Sequence, residues 1–418
     1  VQGNHGDLFW MVEDPQNTDN VISQNIIEGF VTGLLFHSDG VSTHTVQATL
    51  SGNSITGCSS LAVDASTLTA PQDEPIVASG NYWGTADPAG VANVVSNVDY
   101  TPWLASGTDT SSDPGFQGDF SVLWVDDDSP QSESVGRIQE AVDCVSGSTV
   151  HIAPGTYAES VDIDVAVRLI GAGSGESPAE NTIITNDANV ITMSASGVSV
   201  ADPVLFQDLR VEPQGCYGFN LGNVEYVKLE RVVVDGNDPV DDSESNVGMK
   251  VSSATSVHHL EVVDCAFDHL VHGWYFAKDH GSGPGSSNVT DVTVTGTSFS
   301  HNKHKGIYVE KLAHAVFTDC VVHNNGSDPG FWNWTWNGGV DINLKGELAY
   351  ENYSFINCTV TNNGLYAHEG VGLTVKGRGT GDDSWYAADP AYVDNVLIQE
   401  AEIEPPGENV KTLRTITY

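Results

Sequence analysis

The stretch FTDCVVHNN, residues 317–325, decides the reading of the chain. Phe317, Cys320 and Val322 stand at a fixed spacing, as apolar, small, apolar, and Asn325 follows in a polar turn. The same frame returns at Phe206-Leu209-Val211, Leu229-Val232-Val234, Val262-Cys265-Phe267, Val294-Thr297-Phe299, Phe355-Cys358-Val360 and Ile398-Ala401-Ile403. A second phrase, glycine then alternating apolar residues, lies between most of them: Gly218-Phe219, Gly248-Met249, Gly273-Trp274, Gly306-Ile307, Gly339-Val340 and Gly370-Val371. Short strand-like repeats parted by polar turns predict stacked coils, each too small to bury a core alone. The shared first positions, Phe206, Leu229, Val262, Val294, Phe317, Phe355 and Ile398, predict one inward apolar column. Asn237, Asn302, Asn325 and Asn363 recur just after the frame, where asparagine tolerates left-handed backbone and bonds along a ladder.

Working outward, residues 1–104 carry the frame at Ile22-Asn25-Ile27 and Leu50-Asn53-Ile55, then Asn81-Tyr82-Trp83-Gly84 and Trp103-Leu104. Residues 105–118 are rich in Ser, Thr, Gly and Asp, as a flexible joint is. A new start follows. Arg137 to Val142 reads as a short helix with Ile138, Ala141 and Val142 on one face. Gly147 to Tyr157, containing Thr149-Val150 and Pro154-Gly155-Thr156-Tyr157, then runs into Val161-Asp162-Ile163 and Val167 to Gly171.

This helix, the TV…PGTY strand and turn, and the strand ending in glycine closely resemble the N-terminal cap and first coils of the pectin-lyase-like superfamily. The NYWG element and later tryptophan resemble the closing coil of secreted right-handed β-helix repeat proteins. The resemblance covers most of the chain from Gly136 on. It implies an all-β fold, a right-handed parallel β-helix: closing coils and cap of a first helix at 1–104, a linker at 105–120 and a second helix at 121–418. It leaves function open, because this fold hosts lyases, hydrolases, esterases, adhesins and phage spikes.

Charge narrows the class. The chain of 418 residues has 56 Asp and Glu against 15 Lys and Arg, a formal net charge of −41, and 18 acidic residues precede the first Lys or Arg, Arg137. No basic patch exists for phosphates, which argues against nucleic acid. Such a surface suits strong screening, with a Debye length of about 3 Å at molar salt, and points to a halophile. The chain opens at Val1 without a signal peptide and reads as a mature or excised part of a secreted precursor. No stretch is long and apolar enough to cross a membrane as a helix. The six cysteines show no zinc spacing; Cys265, Cys320 and Cys358 share one repeat position and read as small buried thiols. Cys320 and Cys358 on adjacent coils would also lie within reach of a disulfide.

Candidate sites follow from what the coils leave outside. The second phrase exposes Asn220, Lys250, Tyr275, Tyr308, Asp341 and Gly372, with Lys278, Lys311, Lys345 and Lys376 just beyond and Arg378 close by. These scarce bases read either as a cationic stripe for an anionic polysaccharide or as solvated strand ends offsetting Asp279 and Glu310. In β-helix lyases acting on uronates, which the resemblance brings to mind, a Lys or Arg serves as base beside a neutralised carboxylate. Trp332, Trp334 and Trp336 would share one side of an extended loop, to stack on sugar or to fold back over the coils. Histidines gather at His258-His259, His269-His272 and His301-His304-His314, with nothing in their spacing that forces convergence, so no metal site is assigned. Asp126-Asp127-Asp128 and Asp382-Asp383 could bind Ca²⁺ through oxygen ligands, but a chain this acidic produces such runs by chance, so no cofactor is assigned. Asn288, Asn325, Asn333 and Asn352 are glycosylation candidates; Asn357 also begins a sequon but lies beside Cys358. The polygalacturonase motifs are missing: no G-H-G exists, and Asp382-Asp383 comes after the lysines.

The expectation is a structural or adhesive protein of a halophilic archaeon or its virus, secreted or on the cell or virion surface. It would contact glycans and assemble as a homo-oligomer, filament or virion part. The alternative is a polysaccharide lyase or glycoside hydrolase acting on acidic polysaccharide.

Overall fold

A computed structural model describes residues 10–11, 17–37, 46–68, 75–132, 135–145, 149–237, 245–278, 287–326, 337–346, 349–364, 370–377 and 392–403. These fall into two compact units. The first gathers the described residues up to Tyr157 with Leu169–Ala172 and Ser177–Thr182; the second holds the rest.

In the second unit each coil supplies one strand to each of three parallel sheets. Sheet I takes the long strands, such as Val257–Val263, Val289–Thr295 and Ala313–Thr318. Sheet II takes three-residue strands, such as Ala266–Asp268, Ser298–Ser300 and Val321–His323. Sheet III takes Val247–Val251, His272–Phe276, Lys305–Val309, Gly338–Leu344 and Val371–Gly377. The register fulfils the column expected from sequence: Phe206 pairs with Leu229, then Val262, Val294, Phe317, Phe355 and Ile398 in turn. All but Ile398 are at most 2% exposed; Ile398, on the last described strand of sheet I, is 43% exposed. Like side chains meet face to face, Phe317 on Phe355 at 4.9 Å and Phe267 on Phe299 at 5.1 Å between ring centroids. Stacking at one strand spacing, about 4.8 Å, makes this contact automatic once the register is set.

The corners explain the polar residues. Asn302, Asn325 and Asn363 form a buried ladder: Asn302 Nδ2 donates to Asn325 Oδ1 (2.7 Å), and Asn325 Nδ2 to Asn363 Oδ1 (2.9 Å). Each also satisfies a backbone carbonyl, Phe267, Phe299 and Val322 in turn. Asn237 does not join it and is exposed at φ 53°; on the next coil Leu270 stands where the asparagine would be, its N–H donating to Asn302 Oδ1. Asn325 is fully buried in the ladder, which removes it as a glycosylation site, whereas Asn357 sits exposed at a left-handed corner. Asn352 is exposed and Asn288 half-buried; Asn333 lies outside the described residues.

Sheet I carries a feature the sequence did not announce. Tyr226, His259, Asp291, His314, Asn352 and Asn395 all take φ between 51° and 65° at one position of successive coils. They are skipped in the pairing, as bulged residues are. Tyr226 and His259 stack there at 4.7 Å.

In the first unit Asn25, Asn53 and Asn81 build a ladder of the same kind, with Asn25 Nδ2 on Asn53 Oδ1 and Asn53 Nδ2 on Asn81 Oδ1. Trp83 and Trp103 are buried, and the helix Arg137–Cys144 buries Ile138, Ala141 and Val142. Residues 105–118 are not a loose joint: Phe116 is 1% exposed and its N–H donates to Gln24 O at 2.8 Å. All six cysteines are free thiols; the three expected in a column are buried, with Thr297 between Cys265 and Cys320. Among the described residues no helix is long and apolar enough to cross a membrane.

Candidate functional site

Alternation along sheet III points one side chain in and the next out. The outward register runs Asn220, Lys250, Tyr275, Tyr308, Asp341 and Thr374 on consecutive coils. Thr374, not Gly372, ends this ladder. Gly372 lies level with Gly339; the repeat phrase at Gly370 is two residues early. A second outward row sets His272 beside Lys305.

These rows bring together residues up to 36 positions apart. Lys305 Nζ lies 2.6 Å from Asp341 Oδ2, and Lys376 Nζ 2.9 Å from Asp341 Oδ1. Lys305 Nζ also sits 3.9 Å from the centre of the Tyr308 ring, and Lys250 Nζ 3.3 Å from that of Tyr275. The His272 ring packs against Tyr275 (5.5 Å), His304 (5.1 Å) and Tyr308 (6.1 Å). Asp341 is 2% exposed, His272 6% and Lys305 8%, whereas Lys250, Tyr275, Tyr308 and Lys376 are half-buried at the rim.

The electrostatics follow from that burial. Burial alone would raise the Asp341 carboxyl, but Lys305 and then Lys376 outweigh it and hold it below the usual carboxylate range. Burial lowers the Lys305 ammonium despite Asp341. His272 is pushed well below the ordinary imidazole value by burial, then by His304, Lys305 and Lys250. It is therefore neutral near pH 7, and its Nδ1 is buried without a hydrogen-bond partner. Tyr308 is raised by burial and by Glu310, to which its hydroxyl donates at 2.6 Å.

One prediction arises here. Above about pH 6.5 His272 is neutral folded or unfolded and adds no pH dependence. As pH falls below that value the unfolded chain takes up the proton first, so stability drops until the folded value is reached. Denaturant melts between pH 7.5 and 5 should show this loss, and His272→Gln should show less of it.

The other lysines do different work. Lys311 is 0% exposed; its ammonium donates to the carbonyls of Ser252 (2.7 Å), Ser253 (3.2 Å) and Thr255, pinning a turn two coils away. Lys278 is 3% exposed and donates to Ser287 O at 2.6 Å, while its N–H meets Glu310 Oε2 at 2.8 Å. Lys345, 8% exposed, pairs with Glu310 Oε1. These three are internal ties and neither an open cationic stripe nor solvated strand ends. Only Lys376 of the four expected lysines reaches the rim. Trp332, Trp334, Trp336, Arg378 and Asp382-Asp383 lie outside the described residues.

His272, His304 and Lys305 are the residues of this cluster that spacing did not place on the face, whereas Lys250 stands on the outward ladder where the repeat put it. Their signal was present in the second phrase, since His272 and Lys305 each precede its glycine directly. The histidines near in sequence separate into columns: His259 and His314 in the sheet I bulge, His269 and His301 at a corner, His272 and His304 here. Asp126, Asp127 and Asp128 do lie together, as an oxygen site for Ca²⁺ requires, with Asp126 Oδ1 accepting from the Asp128 N–H and Asp127 Oδ2 from that of Thr156.

The sequence profile of the right-handed β-helix region matches residues 172–381, half of the chain. The chain belongs to that family. All of the sheet III cluster lies inside the matched region. No curated protein matches the chain in sequence. Among solved structures it is similar to the pectate lyase Pel9A, at 13% identity and TM-score 0.38 over 72% of this chain and 78% of that one. It is similar to ORF18 of Geobacillus virus E2, at 14% and 0.36 over 64% and 59%. The A-module of mannuronan C-5 epimerase AlgE4 from Azotobacter vinelandii gives 13% and 0.29 over 66% and 95%. Likeness at this level assigns nothing to the site.

Proposed function

We propose that the outward face of sheet III is an enzyme site for acidic polysaccharide, moving a proton at the sugar carbon next to a carboxylate. One juxtaposition carries the reading: Lys250, Lys376, Tyr275 and Tyr308 at the rim surround a buried Lys305–Asp341 pair and a neutral His272. A C–H beside a carboxylate becomes acidic only when cations neutralise that charge, which Lys250 and Lys376 are placed to do. Neutral His272 is the base available near pH 7. The carbanion then has two fates. Return of a proton on the opposite face inverts the carbon; expulsion of the neighbouring glycosidic oxygen cleaves the chain. Perturbed ionisable groups gathered on one face are what such chemistry requires.

The lysine stripe expected for either an adhesive or an enzyme is three-quarters internal, so the enzyme reading rests on Lys250, Lys305 and Lys376 instead. The cost of attracting a polyanion to a chain of net charge −41 favours work in strong salt, outside the cell of a salt-adapted organism. Thermal melts from low to molar NaCl or KCl should therefore shift upward; a flat response removes the halophile from the proposal.

Titration calorimetry with oligouronates in molar salt tests the site. Lys376→Ala and Tyr275→Ala should each weaken binding at least tenfold, about 1.4 kcal/mol, while Lys228→Ala, paired with Glu230 and Glu261 on sheet I, should not. Equal binding by all four proteins would refute the assignment.

A further inference from the structure

We infer that the corner following sheet II binds a transition-metal ion, Zn²⁺ in the first instance, through Asp268, His269 and His301, with Asp235 beside His269 at the edge of the site. Asp235 and Asp268 are level on successive strands, and His269 and His301 take the left-handed corner positions of the next two coils at φ 52°. That turn aims both rings along the stack, 5.1 Å apart and nearly parallel. Ligand atoms of Asp268, His269 and His301 all lie within 4.8 Å of one another. His301 Nδ1 is 3.0 Å from Asp268 Oδ1, His269 Nδ1 is 3.6 Å from Asp268 Oδ2, and His269 Nδ1 is 3.8 Å from Asp235 Oδ1. A tetrahedron with bonds of about 2.0–2.1 Å has edges of roughly 3.4 Å, close to the 3.6 Å between His269 Nδ1 and Asp268 Oδ2 and inside the 4.8 Å that bounds the three ligand atoms.

The ligands are also held. Arg210 Nη2 grips Asp235 Oδ2 at 2.6 Å, and Ser300 Oγ donates to Asp268 Oδ1 at 3.0 Å. Outer partners of this kind fix carboxylate orientation in metal sites. Two imidazoles with one carboxylate favour Zn²⁺ or Co²⁺ over Ca²⁺, which takes oxygen ligands. The ion would clip two consecutive coils together, away from the sheet III cluster, so it bears on stability and assembly of the stack and not on the proton chemistry.

The test uses the whole chain, freed of metal by chelator. Zn²⁺ is titrated calorimetrically and Co²⁺ by its visible d–d absorption. One equivalent should bind and raise the melting temperature. His269→Asn and His301→Asn keep a residue that tolerates the left-handed corner; each should weaken Zn²⁺ at least tenfold and remove the tetrahedral Co²⁺ spectrum. Asp268→Asn, a second variant of the same shape, should do likewise. His314→Asn, in the sheet I bulge, should bind as wild type does. Unchanged affinity in His301→Asn, or equal loss in His314→Asn, would overturn the site.

Discussion

Phe317→Ala should destabilise the second unit by about 3–5 kcal/mol. Phe317 is 1% exposed and lies between Val294 and Phe355 in the sheet I column, with the Trp274 ring 6.3 Å away. Every neighbour is fixed by a strand that also pairs with the next coil. The walls of the resulting cavity therefore have little freedom to collapse, which places the cost toward the upper end of the range. Urea unfolding followed by far-ultraviolet circular dichroism measures it. A loss below 1 kcal/mol would mean that the column is not the core of these coils.

Asp341→Asn should cost a similar amount, about 3–5 kcal/mol, for an electrostatic reason. It removes the carboxylate that pairs with buried Lys305 and with Lys376. The pair itself contributes less than this number suggests, because both ions lost hydration on folding. Replacing both partners, Lys305→Met with Asp341→Leu, should therefore recover most of the stability. The double variant should still fail to bind oligouronates if the pair belongs to a working site. Recovery of both stability and binding would reduce the pair to packing.

The sequence revealed the coils because inward side chains repeat wherever a coil repeats. Phe206 through Phe355 fell into one register for that reason, and so did Asn302, Asn325 and Asn363. The outward face was legible only in part. Tyr275, Tyr308 and Asp341 were placed correctly on one ladder, but two glycines two residues apart, Gly370 and Gly372, let the frame slip on the last coil. The lysines misled because spacing gives the position of an α-carbon and not the reach of a side chain. Lys311 travels two coils to the carbonyls of residues 252–255, which no repeat pattern encodes. The histidines misled in the opposite sense. His269 and His301 are 32 positions apart and look unrelated, yet one turn of the coil sets them ring to ring.

The central claim is the proton chemistry at sheet III, and hydrogen exchange reads it most directly. Polyuronates are incubated with the protein in molar salt made up in D₂O, and NMR follows the proton on the carbon beside each carboxylate, together with any new unsaturated chain end. The account predicts that this proton exchanges for deuterium or is lost to elimination with wild-type protein, and that His272→Gln abolishes the change while oligouronate binding persists. Binding without exchange or elimination in the wild-type protein, across polymers of each uronate, would contradict it and leave the face as a glycan-contact surface.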